Sequence, residues 1–331
     1  MTKSRRATLM DVAREAEVSL KTASRVINGV PTVSSKLRDR VISVSSRLGY
    51  RPHRGAATMR SGHSDMVGMI IRDLGNLFYS QLVAGAAEEA EKHNCLVISC
   101  SSEGSPERET RLSEAIFAQR PRGLLITPTR LPPELISTEV ALGTPVVAID
   151  EKLSNSDVDT VTFDNYRASR DAVALSVAKG RKRFAIMSDT DELQTMEPRI
   201  RGALDALKEA GLGCDPAFIR RDVHTEEQAR VAGWHLLSSG NPPDAIFCAN
   251  NVSALGAAAT IHSTELDVAI ISFDAFPLSH TLSHPVIVVD HDDREMGRQA
   301  TRLLFKRVAN PDRPVEQLLA PTTLYDLETR Y

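Results

Sequence analysis

Residues 7–28 read ATLMDVAREAEVSLKTASRVIN, a pattern of two short helices joined by a tight turn. The Thr8 hydroxyl is placed to cap the first helix, and the Asp11 carboxylate suits its partly positive start. Ser19 is placed as a second cap, so a second helix begins at about Leu20. Apolar residues recur at helical spacing on both segments: Leu9, Val12, Ala13, Ala16, Ala23, Val26 and Ile27. Helices this short are unstable alone, so the two must pack their apolar faces together.

The polar face of the second helix carries groups that suit DNA. In a helix-turn-helix, the second helix enters the major groove and presents its first residues to base edges. Lys21 and Arg25 can donate hydrogen bonds to guanine, and Leu20 offers an apolar contact. Thr22 and Ser24 suit phosphate oxygens. The pattern predicts a DNA-reading helix; the alternative is a surface helix of a small helical domain.

Charge is distributed unevenly along the chain of 331 residues. Residues 1–61 contain 13 Lys or Arg and 4 Asp or Glu, a net charge of +9, and the remainder carries −12. A basic head on an acidic body predicts a polyanionic partner for the head alone. No signal peptide, no membrane-spanning run and no metal-binding cysteine spacing is recognisable, so we expect a cytoplasmic protein with no membrane partner and no cofactor.

A loop and a third helix follow the first two. Helical spacing runs to about Leu48, and Gly49 is predicted to end the helix. Taken together, the segments ATLMDVAREAEVS, TASRVING and VSSKLRDRVISVSSRLGYRP resemble the headpiece of the LacI/GalR family of transcriptional regulators. The resemblance implies base reading by Leu20, Lys21 and Arg25, and contacts to the DNA backbone by Thr22, Ser24, Asn28 and Ser34.

One position in the turn departs from that family. Glu17 stands where the family usually has Gly. A left-handed conformation at Glu17 would cost about 1 kcal/mol, or the turn differs slightly.

Residues 52–62, PHRGAATMRSG, form a marginal helix at best. The segment resembles the family's hinge helix, which folds on DNA when two subunits pair and wedges an apolar side chain into the minor groove. Met59 is at the wedge position, Ala56 lies one turn earlier, and Arg54 flanks them. The alternative is a plain flexible linker.

From Val67 onward, short apolar runs alternate with helical stretches in two series. This alternation predicts parallel sheets covered by helices, in two Rossmann-like lobes that bind a ligand outside the C-terminal strand ends. The body resembles the family's effector-binding domain, which is similar to periplasmic sugar-binding proteins. The predicted domains are a helix-turn-helix head at 1–50, a hinge at 51–63 and an effector and dimerisation domain at 64–331.

The resemblance implies that the chain crosses between the lobes three times. We place the crossings near Phe163, Asp290 and Thr322. The head-side lobe then comprises about 64–163 with 291–322, and the distal lobe comprises about 164–290.

Candidate effector-binding residues follow the predicted strands. Asp73, Asn76, Phe78 and Tyr79 fit the family's DxxNxFF pattern, in which an aromatic pair covers a ring and polar groups orient it. The alternative for these residues is a helix cap with a hydrophobic staple.

The remaining candidates at strand ends are Asp150, Asn250, Asp274 and Asp290. Arg199, in MEPRIRGAL, matches the arginine that lies three residues before the Gly of the family's helix start. Arg199 is the predicted ligand anchor, because a guanidinium can grip a carboxylate, a phosphate or paired hydroxyls. The alternative is a solvated helix arginine. Asp290 would favour a donor-rich or cationic ligand if it faces the cleft.

We therefore predict a ligand-controlled repressor that binds a pseudo-palindromic operator as a homodimer. By the resemblance, its effector is a sugar or sugar derivative, with a nucleobase or organic acid as alternatives. Control by a partner protein, an enzyme on the α/β body and an exported solute-binding protein are the other hypotheses. No dinucleotide, P-loop or GxSxG motif supports an enzyme. We interpret His280, His284 and residues 290–293, which fit no zinc pattern, as a surface cluster.

Overall fold

The computed structural model describes residues 6–51, 63–153, 157–221, 223–277 and 279–327. The chain divides into two compact units, Met1–Ser64 and Asp65–Tyr331. The hinge candidates Arg54, Ala56 and Met59 lie outside the described residues.

The first unit contains three helices, α1 (Leu9–Glu15), α2 (Leu20–Ile27) and α3 (Ser35–Arg47). The predicted caps are confirmed: the Asp11 N–H donates to Thr8 Oγ1 at 3.3 Å, and the Thr22 N–H donates to Ser19 Oγ at 3.0 Å. The Asp11 carboxylate also accepts from the Thr8 N–H, which completes a capping box. The apolar faces form a small separate core of Val12, Ala13, Ala16, Ala23, Val26, Val41 and Val44.

The second unit alternates strands with helices. Its strands are β1 (Met66–Ile71), β2 (Leu96–Ser101), β3 (Gly123–Ile126), β4 (Val146–Ile149), β5 (Asp159–Phe163), β6 (Phe184–Met187), β7 (Ile219–Arg220), β8 (Ala245–Cys248), β9 (Ala269–Phe273), β10 (Val286–Asp290), β11 (Gln317–Ala320) and β12 (Thr323–Asp326). Its α-helices are α4 (Leu77–Glu91), α5 (Pro106–Phe117), α6 (Pro133–Ala141), α7 (Asn165–Ala178), α8 (Met196–Glu209), α9 (Glu226–Leu237), α10 (Asn251–His262) and α11 (Asp293–Ala309). Two short 3₁₀ turns cover Pro216–Phe218 and Ser279–Thr281.

The strands form two six-stranded sheets, one in each lobe. Their orders are β11-β5-β4-β3-β1-β2 and β12-β10-β9-β8-β6-β7. Every described pairing is parallel except that of β10 with β12. The chain passes between the sheets after β5, after β10 and between β11 and β12. The helix-turn-helix head and the two Rossmann-like α/β lobes confirm the predicted fold class.

In each lobe, two helices pack closely because a glycine lies at their contact. In the first lobe, α4 packs on α11, and a Cβ on Gly85 would lie 1.8 Å from the Arg294 carbonyl oxygen. In the second lobe, α7 packs on α8, and a Cβ on Gly202 would lie 2.3 Å from the Tyr166 carbonyl oxygen. Residues larger than glycine would push these helices apart, so the strand ends that the helices support would shift. None of the described helices is both long and apolar enough to cross a bilayer.

Candidate functional sites

In the first unit, α2 presents a free face near its N-terminus. Leu20 is half exposed, and Lys21 and Arg25 are exposed with no ion-pair partner among the described residues. Thr22 and Ser24 are partly exposed, and local hydrogen bonds orient both hydroxyls: Ser19 Oγ lies 2.8 Å from Thr22 Oγ1, and Asn28 Nδ2 donates to Ser24 Oγ at 3.2 Å. An apolar group and two unpaired cations are therefore available to an external partner.

The turn and the loop beside α2 supply further polar groups. Glu17 adopts φ +52°, so this residue does take the left-handed conformation, and its carbonyl accepts a hydrogen bond from Arg40 at 3.3 Å. Ser34 is exposed at the start of α3, and its hydroxyl makes no capping hydrogen bond. Its hydroxyl can therefore donate to an external acceptor.

In the second unit, a cavity of about 540 Å³ lies between the lobes, where the C-terminal strand ends face each other. The first lobe lines it with Arg72, Asp73, Asn76, Phe78, Tyr79, Glu103, Asp150 and Glu151. The second lobe lines it with Asp189, Leu193, Thr195, Met196, Arg199, His224, Asn250, Asn251, Val252 and Asp274. Of the nine residues predicted for this cleft, the structure brings together all but Asp290.

Asp290 does not line the cleft. It lines a separate cavity of about 480 Å³, with Gln81, Thr323 and Tyr325 among its other lining residues. The next residue, His291, is the one that reaches Asp274. Both residues line this second cavity, and neither of them lines the cleft. The prediction for Asp290 is wrong on this point, and its carboxylate gives no preference for a cationic ligand there.

Arg199 is buried, with 4% of its surface exposed. Its Nε donates to Asn165 Oδ1 and its Nη1 to the Ala249 carbonyl, both at 2.7 Å. The guanidinium lies 3.6 Å from the centre of the Phe273 ring. The alternative of a solvated helix arginine is therefore wrong. The remaining nitrogen, Nη2, has no hydrogen-bond partner among the described residues and is available to a ligand.

Asp274 is fixed by His291, which the sequence analysis left in a surface cluster. His291 is buried, and its Nε2 lies 2.8 Å from Asp274 Oδ1, while Nδ1 contacts Asp293. Burial alone would lower the histidine pKa, but hydrogen bonds to the two carboxylates raise it to about 10. His291 is therefore charged at neutral pH. Among the described residues, no group of three or more His, Cys, Asp or Glu is arranged to hold a metal ion.

Asn76 caps a helix and also lines the cleft. Its Oδ1 accepts from the Phe78 N–H at 3.0 Å and so caps α4. The same side chain exchanges hydrogen bonds with Asn251 of the other lobe, at 3.0 and 3.3 Å. Asn250 caps α10 by accepting from the Ser253 N–H at 2.9 Å, and the exposed Asp73 accepts from the Gly75 N–H at 2.7 Å. Local capping thus coexists with a position on the cleft wall.

The aromatic pair forms one wall. The Phe78 and Tyr79 rings meet edge to face, with centroids 5.0 Å apart. Burial, with the nearby charges of Asp150 and Glu151, raises the pKa of Tyr79 well above its ordinary value. The phenol is therefore neutral and can donate a hydrogen bond to a ligand whose ring packs on this wall.

Asp150 and Glu151 lie at the end of β4. Asp150 has φ +67°, and the Glu151 N–H donates to the Ile149 carbonyl at 2.7 Å, so the backbone makes a tight turn that costs about 1–3 kcal/mol. Burial raises the pKa of Asp150 to about 6 and that of Glu151 to about 8. Sequence reasoning missed Glu151, although its position directly after a strand end was a usable signal.

Two family models match the chain, one over the helical head and one over the α/β body. Residues 8–53 match the model for bacterial regulatory proteins of the lacI family, and residues 64–327 match that for periplasmic binding proteins and the sugar binding domain of the LacI family. The HTH-type transcriptional repressor CytR of Escherichia coli is 29% identical over 91% of this chain and 90% of its own length. Catabolite control protein A of Priestia megaterium is 31% identical over 90% and 92%.

A solved structure supports the fold. The Lac repressor dimer bound to operator and the anti-inducer ONPF superimposes with a TM-score of 0.84 at 24% identity, covering 98% of this chain and 99% of that one. With the family models matching both units, the chain belongs to the LacI family and is a DNA-binding transcriptional regulator, not an enzyme.

Proposed function

We propose that this protein is a repressor that binds a pseudo-palindromic operator as a homodimer. Its affinity for the operator falls or rises when a small molecule binds in the cleft. The observation that carries the proposal is the cleft itself, where Arg199 presents an unused donor and the aromatic pair offers a ring-sized wall. The same chain carries a cationic face on α2 that no described residue neutralises. The protein acts in the cytoplasm, where it meets its operator.

On the DNA, each head reads one half-site. Leu20, Lys21 and Arg25 contact base edges in the major groove. The phosphate backbone is contacted by Thr22, Ser24, Asn28 and Ser34. The hinge contributes Met59 as a minor-groove wedge, with Ala56 and Arg54 beside it. Asn28 and Ser34 support this assignment because both are exposed beside the free face of α2.

The edge of the first sheet supports the proposal of a homodimer. Strand β2 is at that edge, and its side chains Leu96 and Ile98 are 57% and 47% exposed. An edge strand with exposed apolar residues is stable in water when another chain covers it. A second copy of the chain, related by a two-fold axis, would cover both edges and align two heads with two half-sites.

Control by the ligand requires that the two lobes can adopt more than one arrangement. The ligand changes operator affinity to the extent that it binds one arrangement more tightly than the other. Asn76 and Asn251 contact each other across the cleft, and Gln194 of the second lobe donates to the Lys152 carbonyl of the first at 2.8 Å. These few polar contacts can break and form again as a ligand enters. The effector is a sugar or sugar derivative, because the matched family model describes a sugar binding domain.

The experiment is selection of binding sites from random DNA with the full-length protein, followed by a screen of sugars for altered operator affinity. We expect a symmetric site, and we expect Arg199→Ala and the milder Arg199→Lys to lose the ligand response while both still bind operator. A site with no symmetry would contradict the homodimer. If operator affinity responds to a partner protein and to no small molecule, the signal comes from that partner and not from an effector in the cleft.

A further inference from the structure

We infer that the cleft selects a ligand with an ammonium group, an amino sugar, and that Glu151 together with Asp150 binds that group. This inference rests on the proposed function, because it names the effector class of the same cleft. It depends on which carboxylates of the cleft already have partners and which do not.

Most carboxylates on the cleft wall are already satisfied. Asp73 is exposed at the rim and accepts a backbone N–H. The other satisfied carboxylates each have a side-chain partner: Asp274 bonds His291, Asp189 bonds His224, and Glu103 pairs with Arg108. These groups offer little further attraction to a cation.

Asp150 and Glu151 remain. They are adjacent, line the cavity, and are only 9% and 5% exposed. Asp150 Oδ1 and Glu151 Oε2 are buried, and neither accepts a hydrogen bond from any residue that the structure describes. Buried carboxylate oxygens without a partner are costly, so a group that supplies donors there gains that missing interaction.

The charge at this pair favours a cation over an anion. The positive charges of Arg72 and Arg199 oppose the effect of burial, but the pKa values of both carboxyls are still raised, to about 6 for Asp150 and about 8 for Glu151. The two carboxyls together therefore retain a proton near neutral pH. An ammonium group brings three donors and a full positive charge, so it can take the place of that proton. A phosphate or carboxylate ligand would instead face two acidic groups.

The surroundings specify the rest of the ligand. The Phe78 and Tyr79 wall suits the face of a sugar ring, and hydroxyls can bond the Asn and Arg side chains opposite. The next residue, Lys152, accepts a hydrogen bond at its carbonyl from Gln194 Nε2 of the second lobe at 2.8 Å. A cation at Glu151 would therefore act where the two lobes meet.

The test is calorimetric titration of the full-length protein at pH 7 with matched sugars that differ at one position. The pairs are D-glucosamine with D-glucose, D-galactosamine with D-galactose, and D-mannosamine with D-mannose, and each amine is also tested as its N-acetyl form. We expect at least one amine to bind about tenfold tighter than its hydroxyl partner, because one ion pair is gained. Acetylation, which removes the charge, should abolish the preference.

Variants assign the preference to Glu151. Glu151→Gln keeps the side-chain shape, and we expect it to reduce the ratio of amine to hydroxyl affinity to about one, whereas Glu151→Asp keeps a carboxylate and part of the preference. Glu114→Gln, on the exposed face of α5, is the matched control and should leave the ratio unchanged. The inference would be overturned if the two sugars of every pair bind equally or if no amine binds. It would also be overturned if Glu151→Gln leaves the ratio of amine to hydroxyl affinity unchanged. If a neutral sugar still alters operator affinity, only this inference fails; if no operator is bound, the proposed function fails.

Discussion

Asn76 and Asn251 exchange two side-chain hydrogen bonds across the cleft, from Nδ2 of each residue to Oδ1 of the other. Asn76 belongs to the first lobe and caps α4, and Asn251 begins α10 of the second lobe. Asn76, Asn251 and Asp274 all line the cleft, and Asp274 bonds His291. A contact between the lobes is thus connected to the residues that line the ligand site.

Asn251→Ala should therefore loosen this arrangement of the lobes. Two partly buried hydrogen bonds are lost, each worth about 0.5–1.5 kcal/mol, so we expect ligand affinity to fall roughly five- to 150-fold. Titration of the ligand that the sugar screen identifies measures the change. Asn251→Asp keeps an acceptor for Asn76 Nδ2 and should show a smaller loss. Unchanged affinity in the alanine variant would mean that the ligand does not depend on this contact.

Arg25→Ala should remove specific operator binding. The side chain is exposed and has no ion-pair partner in the described part of the head, so its loss leaves the fold intact. A good contact to a base is worth about 1–3 kcal/mol, which corresponds to roughly five- to 150-fold in affinity for the selected operator. Binding curves with operator and random DNA measure it. Arg47→Ala, an exposed arginine that pairs with Glu15 on another part of the head, is the matched control. Retained sequence preference would exclude Arg25 from base reading.

Leu96→Asp should weaken dimerisation. A carboxylate on edge strand β2 would have to be buried unpaired in the interface, which costs at least about 2 kcal/mol. Analytical ultracentrifugation should show monomers at concentrations where the unaltered chain is dimeric, and operator affinity should fall with it. Leu142→Asp alters an exposed leucine at the end of α6 and should leave the assembly unchanged. A dimeric Leu96→Asp variant would place the interface elsewhere.

Stability should decrease as the pH rises from about 6.5 to 10, because His291 is protonated throughout this range only in the folded state. The pKa of His291 is raised to about 10 in the folded protein, against about 6.5 in an unfolded chain. The stability that protonated His291 contributes is therefore fully present below pH 6.5 and is lost as the pH rises to about 10. One extra bound proton gives a slope of about 1.4 kcal/mol per pH unit. The raised pKa values of Asp150 and Glu151 act in the same direction.

Urea unfolding at several pH values measures this slope. His291→Gln keeps an amide donor for Asp274 but cannot titrate, so its slope should be shallower over the same range. His262→Gln, an exposed histidine at the end of α10, should leave the slope unchanged. Equal slopes in the His291→Gln variant and the unaltered protein would show that His291 does not carry the effect.

The local part of the fold could be predicted from the sequence because it depends on neighbours in the chain. The Thr8 and Ser19 caps, the stop at Gly49 and the alternation of strands and helices are decided by hydrogen bonds and apolar spacing within a few residues. Strand ends also indicated where a ligand site would form, since parallel strands present their C-terminal ends on one side of a sheet. Arg199 and the aromatic pair were predicted from the resemblance to the family's helix-start arginine and DxxNxFF pattern.

Tertiary structure alone decided which of two neighbouring residues bonds Asp274 of the cleft wall. Asp290 and His291 are adjacent, and the direction of each side chain depends on the position of β10 between β9 and β12. Glu151 shows the same dependence, because its environment comes from the turn after β4 and from the second lobe. The sequence by itself determined the two units, their helices and strands, and the exposed polar face of α2. The assignment of charges in the cleft required the structure, because burial and partners on other strands and helices set the protonation of each group.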